Sequence, residues 1–146
     1  MTIDQALFLD IDGVLALEYG INRPRTEWLF GMAYPFDAPC VKELNRILRE
    51  TQAEIVLSSQ WRVDYTEKEL AQIFAWNGVI KPPLAATVFL GGFSRCKEIE
   101  LFLEAHTVRR FAILDDMELT CYPARFFNTS PHTGLTPHIA GQVVAA

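Results

Sequence analysis

The residues best suited to chemistry in this chain are acidic and hydroxyl side chains that directly follow apolar runs. Asp10 and Asp12 stand one residue apart after the run ALFL, and Gly13 follows them. Carboxylates at this spacing can act as nucleophile, as general acid or base, and as ligands of a hard divalent cation. Later apolar runs end in the same way, in Ser58, Ser59, Asp115 and Asp116.

Each of these features also has a purely structural interpretation. Aspartate and glycine favour turns, so the stretch Asp10, Asp12 and Gly13 alone fits a turn as well as a catalytic site. Paired serines often begin a loop, and Asp115 with Asp116 fits a helix cap. The functional interpretation becomes the stronger one only when all the features are considered together.

A cation, Lys97, follows the glycine pair 91–92 at the start of a predicted helix. With Arg95 it falls in the first turn, where the helix dipole disfavours positive charge by roughly 0.3 kcal/mol or more. A local preference that is broken without a visible gain is typical of a functional site. We therefore expect Lys97 to serve the same site as the carboxylates.

Four carboxylates at neighbouring strand ends would repel one another strongly. At a separation of a few ångströms each like pair costs about 4 kcal/mol when the effective dielectric constant is about 20. A cation is therefore required, and oxygen ligands favour a hard ion such as Mg²⁺, which commonly binds carboxylates together with a substrate phosphate. The sequence thus predicts a magnesium site that accepts a phosphate group.

Short apolar runs alternate with segments of helical period, a pattern typical of an α/β fold with a central parallel sheet. The predicted strands cover residues 6–10, 53–59, 87–90, 111–116 and 125–128. The predicted helices begin near Asp37, Thr66, Ser94 and Thr136. Because ligands bind at the carboxyl ends of the strands in such sheets, all candidate residues are expected at one edge.

Composition favours a single globular domain over residues 1–146, since half of the residues are hydrophobic and 21% are charged. A net charge of -5 gives no electrostatic reason for broad binding to nucleic acid or anionic lipid. Three cysteines without paired spacing indicate neither a disulfide framework nor a zinc site. No apolar run reaches the roughly 20 residues that cross a bilayer, so a cytoplasmic location without membrane contact is expected.

The ordered set of motifs resembles the haloacid dehalogenase (HAD) superfamily of phosphohydrolases. The resemblance covers residues 7–116 and is carried by FLDIDGVL at 8–15, IVLSS at 55–59, Lys97 and ILDD at 113–116. It implies a Rossmann-like, three-layer fold and a phosphatase that works through an aspartyl-phosphate intermediate.

The resemblance also implies roles for the candidate residues. Asp10 would be the nucleophile, Asp12 the general acid and base, and Gly13 the residue that lets the chain turn. The phosphoryl group would be held by Ser58, with Ser59 as the alternative, and its charge offset by Lys97. The implied Mg²⁺ ligands are Asp10, the Asp12 carbonyl and Asp115, with Asp116 binding through water or supporting the others.

Superfamily members often enclose small substrates with a cap domain, for which this chain has no room. Only a short flap, at about residues 14–36, follows the first motif. An open site suits a phosphate on a macromolecule such as a polynucleotide end, and Arg62 in SSQWR is a further substrate-binding candidate. The resemblance extends to SSQWR, which is similar to second motifs in compact phosphatase domains related to nucleic-acid end repair.

Two alternatives stay open at this point. One is a small-metabolite phosphatase whose site is closed by the flap or by an oligomer partner. The other is a catalytically idle module that binds phosphorylated partners. The sequence leaves the oligomeric state undetermined.

Overall fold

The computed structural model describes residues 1–17 and 36–146. The strands assigned there are β1 (Thr2–Leu9), β2 (Glu54–Leu57), β3 (Ala85–Ala86), β4 (Thr107–Asp115) and β5 (Phe126–Asn128). The helices are α1 (Ala38–Thr51), α2 (Trp61–Asp64), α3 (Glu67–Trp76), α4 (Arg95–Ala105) and α5 (Pro137–Ala145). Their alternation along the chain confirms the predicted α/β class.

The described strands form one parallel sheet in the order β3-β2-β1-β4-β5. Strand β1 is central, with β2 and β3 on one side of it and β4 and β5 on the other. This reversal of strand order at β1 opens the crevice in which parallel sheets bind ligands. The register pairs Leu9 with Leu57 and with Leu114, so three strands end side by side.

Apolar side chains on both faces of the sheet hold it between two layers of helices. On one face Leu7 and Leu9 pack into a core cluster with the buried sides of α1, α3 and α5. On the other face Phe8 packs with Ile99 and Phe102 of α4. Because both faces of β1 are buried, its sequence is a continuous apolar run. The predicted three-layer, Rossmann-like fold without a large cap is confirmed.

Local signals fix where two of the helices start. Thr66 and Glu69 form the predicted capping box of α3: Thr66 Oγ1 accepts from the Glu69 N–H (3.1 Å), and Glu69 Oε1 accepts from the Thr66 N–H (2.9 Å). Asp37 is the N-cap of α1, as predicted, but its side chain makes no capping bond. Its Oδ2 accepts instead from the Leu17 N–H (2.9 Å), which ties the segment after β1 to the start of α1.

Two expectations from the sequence are wrong. The third strand is Ala85–Ala86 rather than 87–90, because its partner β2 ends at Leu57, whose carbonyl accepts from the Thr87 N–H (2.9 Å). Beyond that bond there is no strand to pair with. Cys96 and Cys121 form a disulfide across a sequence separation of 25, although the cysteine spacing indicated none. The fold, rather than the spacing, brings these two side chains together.

The flap expected at about 14–36 lies mostly outside the described residues. Its first part is described, and Val14, Leu15 and Ala16 are buried in the core. The chain therefore returns to the interior directly after Gly13.

Among residues 1–17 and 36–146, no helix combines the length and the apolar character needed to cross a membrane. The cytoplasmic location and the single domain over residues 1–146 stay predictions.

Candidate active site

Three carboxylates meet in the crevice at the ends of β1 and β4. Asp10 follows β1, Asp115 ends β4 and Asp116 comes next; one oxygen from each lies within 4.8 Å of the other two. Asp10 is 5% exposed and Asp115 is 0% exposed. The register imposes this arrangement, because Leu9 and Leu114 are paired and the residues after them are neighbours. We call these three residues the acid cluster.

The turn after Asp12 depends on Gly13. Its φ of 78° lies in the left-handed region that favours glycine, and a Cβ at this position would collide with the Asp116 carboxylate. The Gly13 carbonyl accepts from the buried Thr129 hydroxyl (2.7 Å). Gly13 therefore lets the chain turn without displacing Asp116.

The cation beside the acid cluster is Arg95, whereas Lys97 was expected there. Arg95 forms an ion pair with Asp115, and its Nη1 lies 3.8 Å from Asp10 Oδ1. The Lys97 side chain is 55% exposed, and its Nζ lies 3.6 Å from Glu100 Oε1. Residues two apart on an α-helix point in directions roughly 200° apart. The helix can therefore turn only one of these two cations toward the carboxylates.

Burial and mutual repulsion make the charges of the acid cluster costly. Burial, followed by the charge of Asp115, raises the pKa of Asp10 well above its ordinary value of 3.8, and Arg95 opposes this shift only in part. Burial also raises the pKa of Asp115 against the opposing charge of Arg95. Because the one guanidinium that the described residues place against these three carboxylates does not compensate them, a second cation would be stabilised here.

A hard divalent cation fits the acid cluster. All of its donors are carboxylate oxygens, which suit Mg²⁺ and Ca²⁺ rather than a soft metal. The residues that would hold such an ion are Asp10, Asp115 and Asp116.

The second aspartate of the first motif, Asp12, is held by a tryptophan. Asp12 is exposed, and its Oδ2 accepts a hydrogen bond from Trp61 Nε1 (3.0 Å). Trp61 begins α2, where Ser59 Oγ accepts from its N–H (3.2 Å). Its ring packs against Phe36 and Tyr65. These contacts fix the indole and, through it, the position of the Asp12 carboxylate.

Hydrogen bonding distinguishes the two serines of the second motif. The Ser59 hydroxyl accepts a hydrogen bond from the Trp61 N–H at the start of α2. Ser58 is 0% exposed, and its hydroxyl has no partner among the described residues. Such a hydroxyl costs about 1–3 kcal/mol unless a ligand satisfies it. Because Leu57 is in register with Leu9, Ser58 adjoins Asp10 at the strand ends and is the better candidate for contact with a phosphate.

Arg62 and Glu98 form a buried ion pair next to the acid cluster. Arg62 Nη2 lies 2.7 Å from Glu98 Oε1, and Arg62 also donates to the Ser59 carbonyl. Glu98 Oε2 accepts from the Leu90 N–H (2.8 Å), and Arg95 Nε lies 3.6 Å from Glu98 Oε1. Arg62, a substrate-binding candidate by sequence, is thus bound within the protein.

Three residues contribute to the site although the sequence did not assign them to it. Arg95 carried a signal, since it is a cation in the first turn of a helix, but Lys97 shared that signal. Trp61 was visible only as an aromatic in SSQWR. Glu98 gave no signal, because an acid in the first turn of a helix is an ordinary complement to the helix dipole.

Comparison with known families agrees with this geometry. Residues 6–140 match the family described as "HAD domain in Swiss Army Knife RNA repair proteins". Neither the curated proteins nor the solved structures gave a match. The matched span covers the acid cluster, both serines and Arg95. The chain is thus a member of the HAD superfamily and belongs to the family of HAD domains of Swiss Army Knife RNA repair proteins.

Proposed function

We propose that the chain is a Mg²⁺-dependent phosphomonoesterase that forms an aspartyl phosphate on Asp10. The observation that supports this most is the meeting of Asp10, Ser58 and Asp115 at three adjacent strand ends, in a chain of the HAD superfamily. A carboxylate nucleophile, a hydroxyl donor and a cation site at one point are what phosphoryl transfer to an aspartate needs.

In the first step a carboxylate oxygen of Asp10 attacks phosphorus in line with the leaving oxygen. The new O–P bond forms as the bond to the leaving group breaks, and Asp12 donates a proton to the leaving oxygen. The Ile11 N–H donates to Asp10 Oδ1 (2.9 Å) and orients the carboxylate. Attack requires ionised Asp10, so a cation that lowers its raised pKa favours the reaction.

In the second step water attacks phosphorus, Asp12 takes a proton from that water, and the bond to Asp10 breaks to release phosphate. Asp12 is exposed, which suits a group that must meet both the leaving group and water. The bond from Trp61 Nε1 (3.0 Å) keeps its carboxylate in place between the two steps.

Positive charge and one hydroxyl stabilise the phosphoryl oxygens. Arg95, which is within 3.8 Å of Asp10, takes the role first assigned to Lys97, and Ser58 donates its hydroxyl. Bound Mg²⁺, held by Asp10, the Asp12 carbonyl and Asp115, with Asp116 directly or through water, would offset the charge that develops on phosphorus and its oxygens.

The substrate class that we propose is a phosphorylated macromolecule, namely an RNA end. Residues 60–97 are taken up by α2, α3, β3 and the start of α4, so no cap is inserted in that interval. The matched family is named for RNA repair proteins. With a net charge of -5, the protein is expected to contact few phosphates and to bind modestly and in a salt-dependent way. We propose that it acts as a single domain in the cytoplasm.

Initial rates on an aryl phosphate test the chemistry. The wild type should turn over with Mg²⁺ and lose activity with EDTA. Asp10→Asn should lower kcat by about 10⁴-fold or more, because it removes the nucleophile. Asp4→Asn is the matched control, since Asp4 lies in the first half of β1, is exposed and pairs with Arg109. Activity that survives both EDTA and Asp10→Asn would refute the proposal.

The substrate class is tested by kcat/KM over oligonucleotides with 3′ or 5′ phosphates, phosphopeptides, nucleotides and sugar phosphates. We expect an oligonucleotide to rank first. A metabolite that exceeds every macromolecule by about tenfold, or about 1.4 kcal/mol, would establish the small-metabolite alternative. Phosphate binding without turnover on the whole panel would establish the idle binding module.

A further inference from the structure

An exposed apolar loop adjoins the acid cluster. Residues 88–93, which we call the aromatic loop, read VFLGGF and carry no charged or polar side chain. Phe93 is 97% exposed and Phe89 is 44% exposed. A large apolar side chain that is almost fully exposed is unfavourable in water, and a cluster of such side chains commonly marks a binding surface.

The aromatic loop is fixed relative to the catalytic residues. The Leu90 N–H donates to Glu98 Oε2 (2.8 Å), and Glu98 also contacts Arg95. Arg62 lies over the Phe89 ring at 5.3 Å from its centroid. A ligand on this loop would therefore lie close to the acid cluster.

Backbone geometry explains how Phe93 is presented. Gly91 and Gly92 have φ values of 78° and 59°, a pair of left-handed conformations that other residues rarely adopt. This turn reverses the chain before α4 and leaves Phe93 outside the core. Phe93 is two residues before Arg95, so their Cα atoms are at most about 7 Å apart.

The position and chemistry of the loop indicate what covers it. The group next to a terminal phosphate on an RNA is a nucleoside, whose flat base stacks on aromatic rings. A protein partner would need about 800 Å² of surface on each side, so residues well beyond this six-residue loop would have to take part. A base needs only one ring.

We propose that Phe93, supported by the rest of the aromatic loop, is a stacking platform for the nucleobase adjacent to the phosphate that Asp10 attacks. This inference rests on the proposed phosphatase activity and names the part of the substrate that selects it. The ring would then select substrates that carry a base next to the phosphate. It would accept any base, because every base has a flat face that can stack.

The test compares a short RNA bearing a terminal phosphate with the same RNA made abasic at its terminal nucleotide. Phe93→Ala should lower the ratio of kcat/KM, base-bearing over abasic, by about tenfold. Phe93→Trp should keep the wild-type ratio, since an indole also stacks. Trp76→Ala is the matched control, because Trp76 is an exposed aromatic at the end of α3, and its ratio should equal that of the wild type.

A ratio unchanged by Phe93→Ala would overturn the proposal, including the case in which both substrates lose activity equally. If that variant also converts a dimer to a monomer in sedimentation, the loop is an interface between two copies.

A second readout does not depend on turnover. The probe is an RNA with 2-aminopurine at its phosphorylated end. Its fluorescence should be quenched when it binds to the Asp10→Asn protein, and quenched less when Phe93→Ala is added to that protein. Equal quenching in the two proteins would overturn the platform. An inactive wild type that still quenches through Phe93 would refute the phosphatase alone.

Discussion

Two groups of buried charge lie side by side at the strand ends, and Arg95 touches both. Within residues 1–17 and 36–146, the acid cluster sets three carboxylates against this one guanidinium. The pair Arg62 and Glu98 is balanced one to one, and Glu98 is further satisfied by the Leu90 N–H. The first group has more acidic than basic side chains, whereas the second has one of each.

The difference in charge balance indicates a binding site at the acid cluster and a structural role for the pair Arg62 and Glu98. Burial lowers the pKa of Arg62, but the nearby charge of Glu98 opposes this, and the ion pair between the two side chains links α2 to α4. In the acid cluster burial raises the pKa of Asp10 and Asp115, which leaves a demand for a cation. Perturbed pKa values of this kind gather where a ligand or reaction supplies the missing charge.

Breaking the balanced pair should have the largest effect on stability. Glu98→Ala leaves Arg62 buried without a carboxylate and should lower the free energy of unfolding by about 3–5 kcal/mol. Chemical denaturation measures this. Glu100→Ala is the control on the same helix, since its partner Lys97 is half exposed, and should cost about 0.5 kcal/mol or less. Equal losses in the two variants would contradict the structural role of the pair.

Replacing Arg95, the cation that contacts both groups, should lower the catalytic rate. Arg95→Met should lower kcat by about 10²- to 10³-fold, because the phosphoryl oxygens lose a positioned positive group. Lys97→Met, on the other side of the same helical turn, should change kcat by less than about twofold. Steady-state kinetics of the two variants measures these changes in kcat, and thermal unfolding checks that both variants are folded. A larger loss in Lys97→Met would restore Lys97 to the site.

The disulfide between Cys96 and Cys121 links α4, which carries Arg95, to the segment that follows the acid cluster residues of β4. Reducing a bridge with a sequence separation of 25 should lower the free energy of unfolding by about 3 kcal/mol. The Cys40→Ser variant should show the same loss of stability on reduction, because Cys40 is outside the bridge. The double variant of Cys96 and Cys121 to serine should show no such loss; a response there would disprove the assignment.

Supplying the missing cation should have the smallest effect on stability. The raised pKa values of Asp10 and Asp115 mean that their stabilising contribution is full below about pH 3.8 and is lost as pH rises through the raised values. At neutral pH, Mg²⁺ at tenfold its Kd should raise the free energy of unfolding by about 1.4 kcal/mol. This corresponds to a rise of about 3–6 °C in Tm.

That magnesium shift in Tm should shrink in mildly acidic buffer, where protons compete for the carboxylates. Asp10→Asn should remove most of it, while Asp4→Asn should not. A shift that is independent of pH and of Asp10 would place the ion elsewhere.

The strand ends of the site could be predicted from the sequence because two local signals coincide there. A buried parallel strand is a continuous apolar run, and its end is visible where the run meets a polar residue. Asp10, Ser58 and Asp115 each mark such an end. The third strand was misplaced because β3 is only two residues long, and the apolar run after it is an exposed loop instead.

The sequence by itself determined the α/β class, the central strand, the capping box of α3 and the three motifs at the strand ends, since these depend on neighbours in the chain.

Only the tertiary structure decided that Arg95 rather than Lys97 meets the acids, that Trp61 holds Asp12, and that Cys96 pairs with Cys121. Those outcomes depend on the rotation of α4 about its axis and on contacts between distant segments. Packing of Ile99 and Phe102 against β1 sets that rotation. Arg95 shares their face of α4, since it lies four and seven residues before them, but only the packed fold shows which face meets the acids.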